Sequence, residues 1–263
     1  PEDEAEIVAR HLVKANLAGH DSHGIIQTPT YVERIDVGHI VPGASFEVVK
    51  EAPCTAVING NWGFGFVVTE KATRMAIEKA KTNGVAAITV HHQSHIGRLG
   101  DYPTMMAAEG MIGMITADSG AAPKHVAPFG GIARKLGTNP ICICMPSNLD
   151  GPVLMDMASS TVALGKIALA RNRREPVPEG WIIDKDGNPT TDPEDYRAGG
   201  AILPVGADQG HKGYRLSFMV EVFSGLLTGL GFGLDPLARH NDGCFITVYN
   251  VEHFRPLAEF KKE

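Results

Sequence analysis

The chain has 263 residues, of which 43% are hydrophobic and 21% charged, a balance typical of a globular protein with room for one large domain or two modest ones. Its net charge of −6, without any Lys/Arg block, disfavours a nucleic-acid or anionic-membrane partner, since either normally demands a basic surface.

The first segment, PEDEAEIVARHLVKANLAG, repeats Ile7, Val8, His11, Leu12 and Ala15 at helical spacing, with Gly19 as its stop. It is acidic and amphipathic, unlike a signal peptide. FVVTEKATRMAIEKAKTNG predicts a second helix closed by Gly84, and VAAITV (85–90) a buried strand of β-branched residues. A short helix, YPTMMAAEG, leads to a strand, MIGMITA (111–117). ICICMP and VLMDMA predict two more strands, and SSTVALGKIALARN a helix that begins on hydroxyl residues. The segment 173–203, dense in Pro, Gly and charge, predicts a surface excursion. An apolar helix from Tyr214 to Leu230 and a strand, GCFITVY, follow. The long apolar stretch LSFMVEVFSGLLTGLGFG carries Glu221 and several glycines, so it reads as a buried helix and its exit rather than a membrane span.

Cys54, Cys142, Cys144 and Cys244 follow no zinc spacing. Cys142 and Cys144 fall on one face of a strand, where they cannot easily bridge each other, and the reading is reduced, buried thiols in a cytosolic protein. The mixture of strands and helices predicts an α/β class. The glycine clusters GNWGFG and GLGFG fail the GxGxxG spacing, so a Rossmann site is not supported.

Several short motifs carry chemistry. GHDSHG places Ser22 and His23 where the first helix ends, with Gly24 letting the backbone approach a ligand. It reads either as a proton-handling site or as a helix C-cap turn. VHHQSHIG holds three histidines just after a predicted strand. His91 and His95 are four apart, a spacing that aligns metal ligands only on a helix, and no HExxH glutamate is present. LMDMASSTV puts Asp156 at a strand end and Ser159, Ser160 and Thr161 around a helix N-terminus, suited to phosphate or to plain N-capping. In GTNP, Thr138 and Asn139 are potential donors to a substrate. In QGHKG, His211 and Lys212 precede the apolar helix, where Lys212 can reach an anion.

Taken in order, GHDSHG, SHIG, APFGG, LGTNP, LMDMASS and HKGYRLSFMVE resemble the malate/L-lactate dehydrogenase family of NAD(P)-dependent oxidoreductases, over nearly the whole chain. This non-Rossmann group also holds ureidoglycolate and sulfolactate dehydrogenases, diketogulonate reductase and cyclic-imine reductases. The resemblance implies an α/β fold whose cofactor domain has a mainly antiparallel sheet flanked by helices, and a homodimer with sites near the subunit interface. It implies His23 as proton donor or acceptor at the substrate oxygen, Ser22 and Asp156 as its relay, and His95 as a second active-site histidine. NAD or NADP would be held by Asp156, Met157, Ala158, Ser159, Ser160, Thr161 and Val162, with His211, Lys212 and Ser119. His91 and His92 are left to carry the chain out of the strand.

Two departures bear on the substrate and the chain's extent. Many members have an arginine where this chain has Gln27, so carboxylate pairing moves to Arg98, Arg134 or Arg239, or the substrate is not malate; Gln27, Thr138 and Arg98 are the substrate-side candidates. The family's chain also continues to a Gly-Glu element not seen here, so 1–263 reads as one catalytic unit cut short at its C-terminus. Within it, 61–200 is expected to form the cofactor-binding core, and 1–60 with 201–263 the substrate and dimerisation part. The expected activity is hydride transfer between a nicotinamide cofactor and C2 of a 2-hydroxy or 2-oxo acid in the cytoplasm. The rivals are a metal-dependent hydrolase or lyase built on His91, His92 and His95 with Asp101, and a catalytically silent relative that still binds the cofactor.

Overall fold

The computed structural model describes residues 1–119, 124–231 and 242–263. In chain order the elements begin with α1 (Glu2–Leu17), α2 (Thr28–Asp36), β1 (Glu47–Ala52), β2 (Thr55–Gly63), α3 (Gly65–Asn83) and β3 (Val85–Gln93). Next come α4 (Asp101–Ala108), β4 (Met111–Ser119), β5 (Ile141–Met145), β6 (Val153–Met157) and α5 (Leu164–Arg173). A smaller group follows, β7 (Ile182–Ile183), β8 (Pro189–Thr190), α6 (Pro193–Arg197) and β9 (Ala201–Ile202). Then come α7 (His211–Glu221), which runs into a π-helical turn (Val222–Leu226), β10 (Asp242–Asn250) and α8 (Leu257–Lys262).

A seven-stranded sheet has the order β1-β2-β3-β10-β4-β5-β6. Its β2–β3 pair is parallel and its other pairs are antiparallel. This is the mainly antiparallel sheet flanked by helices that the resemblance implied; its parallel βαβ unit, β2–α3–β3, carries GNWGFG at the turn from strand to helix, a glycine cluster without the GxGxxG spacing.

Alternation along the strands decides which helix covers which face. Ala86, Ile88 and Val90 of β3, Met111, Ile115 and Ala117 of β4, and Cys244, Ile246 and Val248 of β10 turn to one side. There they form a single core with Val68, Ala72 and Ala76 of α3 and with Tyr102 and Met106 of α4. The intervening residues of β4 and β10 turn to the other side, under α7 and its π-helical turn. Thr116 Oγ1 lies 2.8 Å from Ser224 Oγ, Lys124 Nζ lies 3.2 Å from both Asp118 Oδ1 and Glu221 Oε1, and Phe245 stacks on Phe223 at 5.0 Å.

Three expectations about local structure are corrected. The segment 173–203 is not a bare surface excursion. It carries α6 and a three-stranded sheet, β8-β7-β9, and Ile182 and Ile202 are fully buried in a second core with Val126, Leu136, Val162, Ile167 and Val177. Two-residue strands are too short to register against the surrounding Pro, Gly and charge. The helix expected from Ser159 begins instead at Leu164, because the Ser159 and Thr161 hydroxyls bond to carbonyls elsewhere in the fold and the Ser160 hydroxyl to the Val162 carbonyl. His91 and His92 do not lead out of β3; the strand runs to Gln93, with His91 opposite Asn59 and the His92 ring stacked on Trp62 at 5.1 Å. All four cysteines are free, with Cys142 and Cys144 buried on β5.

Candidate active site

The GHDSHG turn leaves α1 through Gly19, in the left-handed region at φ +72°, and tightens into a single 3-10 turn over Asp21–His23. Asn16 holds it from the last turn of α1. Its Nδ2 donates to Asp21 Oδ1 at 2.5 Å and its Oδ1 accepts from the Ile25 amide at 2.9 Å. A Cβ on Gly24 would stand 2.2 Å from that Oδ1, so a larger residue would displace the Asn16 amide that holds the turn. Gln27 Nε2 donates to the Ser22 carbonyl at 2.7 Å, which gives this residue a clear structural task. The turn presents Ser22 Oγ 2.9 Å from His23 Nδ1.

The loop after β3 is pinned just as firmly. Ser94 Oγ accepts from the Gly65 amide at 3.0 Å, the Ile96 amide donates to Asp242 Oδ2 at 3.0 Å, and Tyr102 donates to the Ile96 carbonyl at 2.6 Å. Gly97, at φ +72°, passes so close to Phe66 that a Cβ would lie 2.1 Å from the ring. This turn brings the His95 ring to 5.5 Å from that of His23, while Tyr31 of α2 reaches His95 Nδ1 with its hydroxyl at 2.7 Å.

A third imidazole stands at the site. The His20 ring lies edge-on to His23 at 4.5 Å. Burial lowers its pKa, the charge of Asp156 raises it, and Arg98 and Lys166 lower it again. For His23, burial and the charge of His20 act together against Asp242 and bring the pKa down to about 4. Asp156 is the penultimate residue of β6, where its Oδ2 accepts from the Gly100 amide at 2.8 Å and lies 3.9 Å from Arg98 Nε. Burial raises its carboxyl, although that amide and Arg98 oppose the shift. His20 thus touches the His23 ring and also feels the charge of Asp156.

Behind Asp156 a buried chain of charges runs to the surface. Arg98 Nη1 donates to Asp101 Oδ1 at 2.8 Å. Asp101 Oδ2 is 2.8 Å from His11 Nδ1, and His11 Nε2 is 3.0 Å from Glu70 Oε2. Burial raises the Glu70 carboxyl, but hydrogen bonds from Arg74, His11 and Arg10 outweigh it and hold the pKa down to about 2. Arg98 therefore already serves two carboxylates. Arg134 is committed elsewhere: it donates to the Gly200 and Tyr196 carbonyls, with its guanidinium 4.0 Å above the Tyr196 ring. Arg239 lies outside the described residues.

The segments expected at the cofactor divide into two kinds. Ser159 Oγ donates to the Thr138 carbonyl at 3.1 Å and Ser160 Oγ to the Val162 carbonyl at 2.9 Å. Thr161 Oγ1 donates to the Trp181 and Leu203 carbonyls, each at 3.1 Å. Met157 and Ala158 are half-buried, and Val162 is part of the second core. Asn139 is buried, with its amide on the Ser217 carbonyl and Glu221 Oε1, both at 3.1 Å, while Thr138 stays half-buried beside it. The side chain of Ser119 lies outside the described residues. The start of α7 differs from these. Among the described residues no side chain caps its first turn, Lys212 is exposed there, and His211 packs edge-on to Phe129 at 5.7 Å. Uncapped N–H groups beside a cation suit the pyrophosphate of a dinucleotide.

A family model described as malate/L-lactate dehydrogenase matches residues 1–263. The chain belongs to the malate/L-lactate dehydrogenase family. Among its relatives, a malate dehydrogenase of Pyrococcus horikoshii is 41% identical over 271 residues, covering 100% of this chain and 74% of that protein. A malate/(S)-sulfolactate dehydrogenase of Methanothermus fervidus is 41% identical over 267 residues, covering 99% of this chain and 76% of the relative. The crystal structure of malate dehydrogenase from Entamoeba histolytica superposes with a TM-score of 0.93 at 34% identity, over 99% of this chain and 76% of that one. Membership makes this family member an oxidoreductase acting on CH–OH groups, and a nicotinamide cofactor is expected of it. It also disfavours the metal-dependent hydrolase or lyase. Among the described residues no three His, Cys, Asp or Glu side chains form a metal-holding group, and His91 and His92 lie back along β3 while His95 turns towards His23.

Two residues of this site escaped sequence reasoning. His20 sits inside the quoted GHDSHG motif, and its position three residues before His23 was the available signal. Tyr31 had none, because the contact that matters joins it to a loop 64 positions away.

Proposed function

We propose that this chain interconverts a 2-hydroxy acid of the malate or lactate type and its 2-oxo acid, with NAD or NADP as hydride carrier. The observation that carries the reading is the facing pair His23 and His95, 5.5 Å apart between ring centres, the first bonded to Ser22 and depressed to about 4. A half-buried imidazole kept neutral can take the hydroxyl proton as the alcohol carbon is oxidised, so no alkoxide charge need build up. Ser22 fixes its ring, the charge of Asp242 favours the imidazolium formed in that step, and Asp156 stands in the relay as the carboxylate whose charge acts on His20. The bound nicotinamide would accept or supply the hydride at C2.

In this reading His211 and Lys212 hold the phosphates, and the run from Asp156 to Val162, with Ser119, lines the cofactor. Gln27, Thr138 and Arg98 stand on the substrate side. The cofactor core is assigned to 61–200, and the substrate and dimerisation parts to 1–60 and 201–263. A panel of 2-hydroxy acids, 2-oxo acids and cyclic imines with each cofactor, followed at the nicotinamide absorbance, tests it. Turnover of at least one 2-hydroxy or 2-oxo acid is expected. Cofactor binding with no turnover across the panel would instead favour a silent relative.

Two further parts of the proposal concern assembly and place. Met219, Phe223, Leu226 and Leu227 recur at helical spacing along α7 and its π-helical turn, all more than a third exposed, and Ile25 and Ile26 beside the site are 56% and 72% exposed. Such apolar surface accords with a homodimer that covers it. Sedimentation is expected to give a dimer for the wild type and a monomer for Leu227→Asp; a wild-type monomer at micromolar concentration would rule this out. No helix among the described residues is long and apolar enough to cross a membrane, and the free cysteines accord with a reducing, cytoplasmic compartment.

A further inference from the structure

Tyr31 has no part in the reaction as described so far, yet its hydroxyl is buried against a histidine of the site. The ring is 3% exposed, packed with Leu12, Ile40 and Phe66 and edge-on to Phe64 and Phe66 at 6.4 and 5.8 Å. Its oxygen lies 2.7 Å from His95 Nδ1, and among the described residues this is the hydroxyl's one hydrogen bond. A bond between a phenol and an imidazole nitrogen can run either way. If Nδ1–H donated to Tyr31, the phenolic hydrogen would be left buried without an acceptor, which is costly. Tyr31 therefore donates, and Nδ1 accepts.

We propose that Tyr31 is a positioning residue that fixes His95 as the tautomer with hydrogen on Nε2, making His95 a hydrogen-bond donor to the substrate and leaving proton exchange to His23. The inference rests on the function proposed above and divides the labour of its two histidines. A neutral ring with hydrogen on Nε2 alone cannot surrender it without becoming an imidazolate anion. Its one escape is to draw the phenolic hydrogen from Tyr31, which would leave a phenolate in an apolar pocket. Burial pushes the Tyr31 phenol well above its ordinary pKa, so that route is closed. In the direction of reduction, hydride reaches C2, a proton passes from His23 to the oxygen, and His95 keeps its hydrogen while holding the substrate.

Nitrogen-15 NMR of the full-length, histidine-labelled protein reads the tautomer directly, with His95→Gln to assign the signals. In the wild type the His95 signals are expected to show hydrogen on Nε2 and none on Nδ1, unchanged from pH 6 to 8. Tyr31→Phe keeps the ring in its pocket and removes the oxygen. It is expected to give a mixture of tautomers, or a ring that titrates in that range, and to lower kcat/KM about tenfold, with an unchanged melting temperature. Hydrogen on Nδ1 in the wild type overturns the proposal, whether or not Tyr31→Phe folds. So does a Tyr31→Phe protein whose tautomer and kcat/KM both match the wild type. If the wild type turns over no 2-hydroxy or 2-oxo acid, the function fails while the tautomer assignment is still decided by the spectrum.

Discussion

Replacing His23 with alanine is expected to lower kcat by ~10²–10⁴-fold, the usual contribution of a positioned acid or base. Binding of the reduced cofactor, read by fluorescence titration, should stay within a few-fold, because His23 lies on the substrate side. The pH dependence of the wild type supplies a second check on the same residue. With its pKa down at about 4, His23 is neutral in the free enzyme across the physiological range. Oxidation needs the neutral ring, so its kcat/KM should be flat from about pH 8 to about pH 5 and fall towards 4. Reduction needs the protonated ring, so that kcat/KM should climb as the pH drops over the same interval. Near-wild-type turnover in His23→Ala, or a reduction rate that rises with pH, would remove His23 from the proposed role.

The second large effect lies behind the site. Asp101, at the start of α4, takes Arg98 on one carboxylate oxygen and His11 on the other, each at 2.8 Å, with side-chain exposures of 4% for Asp101 and 2% for His11. Asparagine has the same shape but carries no charge and turns an amide towards one of the two donors. Removing one partner of a buried charged set costs about 3–5 kcal/mol, because the remaining charges lose their compensation. For a chain of this size that corresponds to a melting temperature lower by on the order of 10 °C. Arg98 would then be free to close on Asp156, 3.9 Å away, and disturb the carboxylate that acts on His20. Thermal unfolding of Asp101→Asn decides the matter: a midpoint within a degree or two of the wild type would show that the buried chain holds little.

What could be read from the sequence follows the range of the forces involved. The helix closing on Gly84 and the β-branched run VAAITV that follows it carry their own signals, a left-handed stop and a strand-favouring composition. The Ser22–His23 pair was legible because both partners sit in one turn. The polar edge strand β1, exposed at every residue, and β2, which ends in Asn-Gly-Asn-Trp-Gly, had no such pattern and went unread. The hydroxyls of Ser159 and Thr161 look like helix caps by composition. Tertiary structure redirected them to the carbonyls of Thr138, Trp181 and Leu203, which local propensity cannot anticipate. His20 and Tyr31 acquire their roles only when α1, α2 and the loop after β3 converge.

The placement of β10 has a consequence for how the protein is made. Residues 242–250 lie between β3 and β4, pairing Cys244 with Val90 on one side and Ala117 on the other. During synthesis, β3 and β4 leave the ribosome long before the strand that joins them. Each then carries an open hydrogen-bonding edge and a half-covered apolar face, a state prone to wrong pairings and slow to resolve. The GHDSHG turn and the loop after β3 come early in the chain, but the sheet that aligns them is closed between β3 and β4 only when β10 emerges.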